Sequence, residues 1–366
     1  MKNNNFIFIH LLNDFSGSPR VLRDAICAMN CSGEKYLLTS QHEGFLDDLE
    51  INRINILYKY SEKKILKLFY YLLSQLHLSI VLSYIIIKIR VKGNSTTLVV
   101  NTLLPFAAGL VGKALSNKVI YYVHESYISP YILKSFLRAV VNVTADYVIF
   151  VSNYLMRDEG LVKPKQVVIH NGLRSDFEID GNIDYKFKFA NRQVFFAGSL
   201  REYKGVYKLI QLAINLPEFS FVGALNCEAS EFTNFMKDIS LPSNMTFVVR
   251  PKNIAELYAS SFCVANLTLP EQCIETFGLS IIEGMSYGCP AIAPPVGGPL
   301  EIVNSNNGIS VSAHEIDNIC DFLRSLSSNY LLWKKYSECA KETSKKFSPT
   351  VYTENLNAFL NKNDLL

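Results

Sequence analysis

"CVANLTLPEQCIETFGLSIIEGMSYGCPAIAPPVGG", residues 263–298, places a short apolar strand, a helix-length segment and a second apolar strand in close succession. The first strand, Cys263 to Asn266, leads into a loop that ends at Glu275. LSIIEGMSYG then reads as a short helix closed by Gly288 at the C′ position, with Pro290 preventing continuation. Strand Ala291 to Ala293 follows. A strand, a crossover helix and a parallel strand make a βαβ unit, the building block of a doubly wound α/β sheet. Glu275 therefore lies just before a helix N-terminus, and Glu283 about two turns later on one side of it. The peptide N–H groups from Thr276 through Phe277 and Gly278 to Leu279 would be unpaired, an anion site suited to phosphate. Two carboxylates beside such a site would be repulsive unless they bind hydroxyls, and a sugar nucleotide carries both parts.

The same alternation runs through the chain. In the first half the strands are expected at Phe6–His10, Tyr36–Thr39, Ile54–Tyr58, Leu98–Asn101, Val119–Val123, Val148–Val151 and Val167–Ile169. A polar segment, 174–192, interrupts the pattern, and VFFAGSL restarts it at Val194. Further strands are expected near 194–197, 219–222, 246–249, 263–266, 291–293 and 309–311. Two doubly wound Rossmann-like domains follow: residues 1–175, a linker at 176–192, and residues 193–346, with 347–366 as a terminal helix. A length of 366 residues suits two cores of ordinary size. With 49% hydrophobic residues, 19% charged residues and a mean hydropathy of +0.14, the chain is globular and not disordered. The apolar run near the N-terminus, about seven residues, is too short for a signal peptide core and reads as the first strand.

Eight cysteines show no C-x-x-C pair and no metal-ligand spacing with the six histidines, so they are expected to be reduced core residues, and no metal site is expected. Net charge is +3, unevenly spread. Residues 1–188 hold 22 basic against 16 acidic side chains, and the remainder hold 14 against 17. The first half is therefore the one expected to face something anionic. No basic stripe is interleaved with exposed aromatics, which excludes a nucleic-acid binder.

Residues 61–92, SEKKILKLFYYLLSQLHLSIVLSYIIIKIRVK, form a long apolar run interrupted by Lys67, Gln75 and His77. Lys63, Lys64 and Lys67 flank one end and Lys88, Arg90 and Lys92 the other, against one acid, Glu62. Three readings stay open: a membrane-spanning helix, which those interruptions disfavour, a buried helix or helix pair, or an amphipathic element resting on an anionic membrane surface.

Three more loops close strands. In FAGSLREYKG, 196–205, Gly198 admits a ligand to the backbone, and Arg201 and Lys204 offer cations to a diphosphate. In PPVGGPLE, 294–301, Gly297 and Gly298 permit positive φ and close approach of a ligand. After the first strand, HLLNDFSGSPR, 10–20, places Ser18 as an N-cap and Pro19 at the first helical position.

Together and in this order, these stretches resemble the GT-B retaining glycosyltransferases of family 4, the glycosyl transferases of group 1. The resemblance is closest over 194–308 and looser in the first domain, at FSGSPRVL, VHES and VIHNGL. It implies two domains facing across a cleft, with the terminal helix crossing back to the first. It implies that Glu275 and the Phe277–Leu279 backbone hold donor-sugar hydroxyls and phosphates, and that Glu283 holds the ribose. Lys204 matches the pyrophosphate lysine, and His124 matches a histidine near the transferred sugar. Gly17 and Asn171 match first-domain donor positions. Ser199 stands where the family's arginine would follow the glycine, and Arg201 is the substitute. The implied co-substrate is a UDP- or GDP-sugar with no other cofactor. The implied acceptor is a saccharide, lipid-linked, in bacterial surface polysaccharide or lipopolysaccharide (O-antigen or capsule) assembly. A cytoplasmic protein, peripheral on the inner face of the membrane, follows from that acceptor. With no D-x-D triad in the sequence, metal-independent transfer is expected. A soluble acceptor, a sugar-nucleotide epimerase and a catalytically silent partner subunit are the alternatives.

Overall fold

The computed structural model describes residues 3–59, 61, 63–174 and 183–366, which form two compact units. Unit 1 comprises residues 1–170 and 352–366, and unit 2 residues 171–351. Unit 1 runs β1 (Asn4–Ile9), α1 (Gly17–Ala28), β2 (Lys35–Thr39), β3 (Asn52–Asn55), α2 (Lys64–Val91), β4 (Ser95–Asn101), α3 (Phe106–Leu115), β5 (Lys118–Val123), α4 (Tyr131–Thr144), β6 (Tyr147–Phe150), α5 (Asn153–Glu159) and β7 (Lys165–Val168). Its seven strands are parallel in the order β3-β2-β1-β4-β5-β6-β7. The inner strands are apolar on both faces because helices cover both, which is why FIFI, LVV and VIYYV read as continuous runs.

Unit 2 runs α6 (Tyr185–Asn191), β8 (Gln193–Ser199), a 3₁₀ turn (Glu202–Lys204), α7 (Val206–Asn215), β9 (Ser220–Asn226), α8 (Ala229–Met236), β10 (Met245–Val249), α9 (Ile254–Ala259), β11 (Cys263–Ala265), α10 (Leu279–Ser286), β12 (Ala291–Ala293), a 3₁₀ turn (Gly298–Glu301), β13 (Gly308–Ser310), α11 (Ile316–Ser327) and α12 (Tyr330–Lys345). Its six parallel strands lie in the order β10-β9-β8-β11-β12-β13. Helix α10 ends as its sequence dictates: Gly288 has φ +69 and donates to Met285, and the Cys289 N–H reaches back to Gly284. That pair of bonds is a Schellman motif, and only a residue without Cβ enters it free of strain. Helix α13 (Pro349–Lys362) carries the chain from unit 2 to unit 1. On unit 1, Tyr352 meets the Tyr122 hydroxyl at 3.2 Å, Asn357 donates to Ala28 O at 2.8 Å, and Phe359 lies edge-on to Tyr147.

Every expected strand is present, with shifted ends. The third is displaced to 52–55, an edge strand with polar NRIN sequence, and Ile56 is buried just beyond it. Helix α1 begins two residues before its expected start, at Gly17 after Ser16. The cause is Asp14, whose carboxylate accepts from the Ser16 N–H at 2.9 Å and sets the turn, while Pro19 sits in the first turn, where no N–H is needed. Of the segment expected as a linker, residues 183–192 contribute α6 to unit 2, and residues up to 182 lie outside the described ones. Lys188 on α6 is buried and donates to Tyr258 O, Tyr287 O and the Cys289 sulfur at 2.9, 2.7 and 3.3 Å. The eight cysteines are free thiols; Cys27 is exposed, contrary to the expectation of core positions throughout.

The 61–92 stretch is one continuous helix, α2, of 28 residues, and Glu62 lies outside the described residues. Its polar interruptions hold it to unit 1: Gln75 accepts from the Ala107 N–H at 3.1 Å, and His77 accepts from the Leu57 N–H at 3.0 Å. Leu78, Leu82, Ile85, Ile86 and Ile89 are buried. The opposite face, Ile65, Phe69, Leu72, Leu76, Ile80, Tyr84, Ile87 and Val91, is more than half exposed at every position. By length and composition α2 could cross a membrane, yet 39% of its most apolar window is buried within the protein.

Gly284 on α10 lies against β11, where an added Cβ would stand 2.6 Å from the Val264 Cβ. Gly284→Ala should therefore lower stability by about 1–3 kcal/mol through overpacking, despite its better helix propensity. A urea midpoint equal to or above that of the parent would contradict this reading.

Candidate functional site

In a parallel sheet whose order reverses, the crevice outside the carboxyl ends of the two central strands is where ligands bind. Unit 2 reverses between β8 and β11. The loop after β8 brings in Lys204, and the loop after β11 brings in Asn266, Thr268 and Glu275. These loops touch at Gly205, which has φ +81; a Cβ there would stand 2.2 Å from Leu267 O, so only glycine allows the approach.

The Lys204 ammonium meets the Glu275 Oε2 atom at 2.8 Å, with side-chain exposures of 25% and 16%. Asn266 donates to the same oxygen at 3.1 Å, and Thr268 lies at 3.4 Å. Burial alone would lower the Lys204 pKa, but Glu275 outweighs it and the net shift is upward. Burial likewise pushes the Glu275 carboxyl up, and Lys204, Asn266 and Thr268 together hold it below the usual range. Both groups are therefore ionised at neutral pH. These bonds converge on the Oε2 atom and leave Oε1 outside them.

Directly beyond Glu275, Gly278 has φ +109 and caps α10 with no side chain, and the first turn of α10 carries no acid. The positive end of the helix is left for an external anion. Phe277 is buried edge-on to Phe347, so it can contribute only its backbone to a ligand. Gly297 and Gly298 approach the protein's own chain: added Cβ atoms would stand 2.3 Å from Glu275 O and 2.1 Å from Thr276 O. Their closeness shapes the 275–277 backbone. Glu283, 8% exposed, accepts from the Tyr258 hydroxyl at 2.9 Å. Tyr258 is fully buried, stacked on Tyr287, and burial with Glu283 beside it raises its pKa well above normal, so it remains a donor.

Unit 1 reverses between β1 and β4. There His10, Asn101 and His124 form a hydrogen-bonded row: His10 Nδ1 to Asn101 at 3.0 Å, and His124 Nε2 to Asn101 at 2.7 Å. Burial lowers His10 to about 4, and burial with His10 nearby lowers His124 to about 3, so both rings are neutral. Glu125, beside His124, is pushed up to about 7 by burial, against hydrogen bonds that include Thr102.

Lys204, Glu275, Thr276, Gly278, Leu279, Glu283, Gly297 and Gly298 are thus gathered on the β11–α10 side of unit 2. Arg201 is not among them; it is 61% exposed and pairs with Glu231 at 3.5 Å. Gly198 lies 3.2 Å, by its added Cβ, from the Phe196 ring, and Gly17 opens onto space. Asn171, the first residue of unit 2, is buried, and its Oδ1 atom has no hydrogen-bond partner among the described residues. Sequence reasoning missed Asn266, Thr268 and Tyr258, which orient the two glutamates, and missed Asn101. The available signal was the same for Asn101 and Asn266: a polar residue ending an otherwise apolar strand.

The model for "Glycosyl transferases group 1" matches residues 184–346. An uncharacterised glycosyltransferase of Methanocaldococcus jannaschii is 31% identical over 259 residues, covering 66% of this chain and 69% of that protein. The chain belongs to the glycosyl transferases of group 1. It is also 30% identical to sucrose-phosphate synthase 4 of Arabidopsis thaliana over 112 residues, 30% of this chain, but spans only 10% of that enzyme's length. Among solved structures, Anabaena HepE in complex with UDP and glucose matches with a TM-score of 0.78 at 17% identity, over 97% of this chain and 99% of HepE. At that identity the likeness is one of fold, and the fold is GT-B: α/β, with two doubly wound parallel sheets.

In this group 1 glycosyltransferase, Lys204→Met leaves the Glu275 carboxylate largely buried without its cation. It should cost about 2 kcal/mol of stability, and adding Glu275→Gln should recover most of the loss, because no charge then remains buried. Strictly additive losses in urea denaturation would show that the pair is not coupled.

Proposed function

We propose that the chain is a retaining glycosyltransferase that moves a sugar from a nucleotide diphosphate sugar to a saccharide acceptor without a metal ion. The observation that carries the proposal is the Lys204–Glu275 pair beside the uncapped N-terminus of α10, at the reversal of the unit 2 sheet. A fixed ammonium and helix-end N–H groups suit a diphosphate; Glu275 and Glu283 suit sugar and ribose hydroxyls. The resemblance to HepE, whose structure contains UDP, favours uridine over guanosine. Metal independence is supported by the Lys204 ammonium and the positive end of α10, and by the lack of a D-x-D triad in the sequence.

In this reaction the bond from the anomeric carbon to the β-phosphate oxygen breaks, and the acceptor oxygen bonds the same face of that carbon. The acceptor's proton passes to the departing phosphate oxygen, whose negative charge Lys204 and the helix end stabilise. The acceptor is a lipid-linked saccharide in bacterial surface polysaccharide or lipopolysaccharide assembly, met at the inner face of the cytoplasmic membrane. Support comes from α2, whose exposed apolar stripe is flanked by Lys63, Lys64 and Lys67 at one end and Lys88, Arg90 and Lys92 at the other. Apolar surface with terminal cations suits an anionic lipid interface.

Thermal unfolding with UDP, GDP, ADP and their sugar conjugates, with and without EDTA, tests the donor. A ligand at 100 times its Kd adds about 2.7 kcal/mol. Selective stabilisation by UDP compounds that survives EDTA is expected, and no shift with any nucleotide would favour a silent partner subunit. Glu283→Ala should weaken donor binding and so reduce that stabilisation. Lys204→Ala should slow transfer by about 3 kcal/mol, on the order of 100-fold. Replacing Lys63, Lys64 and Lys67 with glutamine should reduce sedimentation with phosphatidylglycerol vesicles; unchanged sedimentation would leave α2 without a membrane role.

A further inference from the structure

Asn101 ends β4 at the reversal of the unit 1 sheet and is fully buried. Its amide orientation is fixed by a group that can only accept. The Ser18 carbonyl lies 3.1 Å from Nδ2, so turning the amide over would set oxygen against oxygen. The second Nδ2 hydrogen goes to His10 Nδ1 at 3.0 Å. Oδ1 therefore faces His124 Nε2 at 2.7 Å, and since Oδ1 only accepts, Nε2 must carry the proton. His124 Nδ1 is then a bare lone pair, and it is buried with no hydrogen-bond partner among the described residues. The Tyr122 ring lies tilted against the imidazole at 43°, with centroids 4.4 Å apart, and limits its rotation.

A second observation marks the same place. Thr102, directly after Asn101, has φ +70, a conformation rare for a β-branched residue. Such strain persists where the surroundings over-determine the backbone, and it clusters at functional sites. The Thr102 N–H is tied to Tyr122 O at 2.8 Å, which locks the end of β4 against β5.

We propose that Asn101 is a positioning residue for glycosyl transfer: it holds His124 in the Nε2-protonated tautomer, so that Nδ1 accepts a hydrogen bond from a hydroxyl of the bound saccharide. The inference rests on the transferase reading above for its reaction, though the tautomer stands on geometry alone. Asn101 contacts three segments at once: the start of α1 through Ser18, the end of β1 through His10, and the end of β5 through His124. A shift in any of these segments is felt at the imidazole.

The test uses the full chain, labelled with ¹⁵N-histidine, as parent, Asn101→Leu and Asn101→Asp. Imidazole nitrogen–proton correlations at neutral pH, assigned with His124→Gln, give the tautomer directly. UDP affinity and the turnover of UDP-glucose give the functional arm. The parent should show His124 protonated on Nε2. In Asn101→Leu that preference should be lost and kcat/KM should fall on the order of 100-fold, with UDP affinity unchanged. Asn101→Asp keeps an acceptor for Nε2–H, so it should keep the tautomer and lie between the two in kcat/KM; it also serves if the leucine variant fails to fold. A parent protonated on Nδ1, or a folded leucine variant within twofold of the parent in kcat/KM, would overturn the inference. A parent that neither binds UDP nor consumes UDP-glucose would instead overturn the transferase reading, and with it the role in transfer, while the nitrogen spectra still report whether Asn101 sets the tautomer.

Discussion

Parallel strands cannot be joined by tight turns; each needs a crossover, and crossovers within one sheet share one hand. A sheet that grows first to one side and then to the other must therefore reverse once, and the two loops at that reversal diverge. Both units of this chain obey the constraint, at β1/β4 and at β8/β11. The gap left by the diverging loops holds Asn101 between His10 and His124 in one unit, and Lys204 against Glu275 in the other. Glycines at 205, 297 and 298 let the backbone close around the second gap.

The two gaps differ in how their polar groups tolerate burial. In unit 2 opposite charges offset each other's desolvation, so both stay ionised and the site can answer a diphosphate with a fixed ammonium. In unit 1 the histidines have no counter-charge strong enough, so burial leaves them neutral and hydrogen bonding decides what they can do. Charge dominates one gap, hydrogen-bond direction the other.

Periodicity and punctuation were enough for much of this in the sequence. The stop of α10 at Gly288 followed from a glycine and a proline placed after an apolar helix, and the strands other than the polar edge strand β3 followed from apolar runs between breakers. The pairing of Lys204 with Glu275 was not legible, because it spans 71 residues and depends on which strands become neighbours. Thr102 was invisible for another reason: a β-branched residue predicts extended backbone, and only tertiary packing forces it to φ +70. The start of α1 was misread because Ser18 and Pro19 satisfy the local rule, while Asp14 imposes an earlier turn. Composition showed that α2 is apolar but not which side faces the protein, since its hydrophobic residues surround the axis.

Unit 1 is discontinuous: its sheet is complete by residue 168, but the helix that covers Tyr122 and Tyr147 comes from residues after 351. Between them lies the whole of unit 2. At ribosomal speeds of about 5–20 residues per second, the sheet of unit 1 waits roughly 10–40 s for its last helix. During that interval an apolar face of the nascent chain is uncovered, so the sequence places a demand on chaperones that the finished molecule no longer displays.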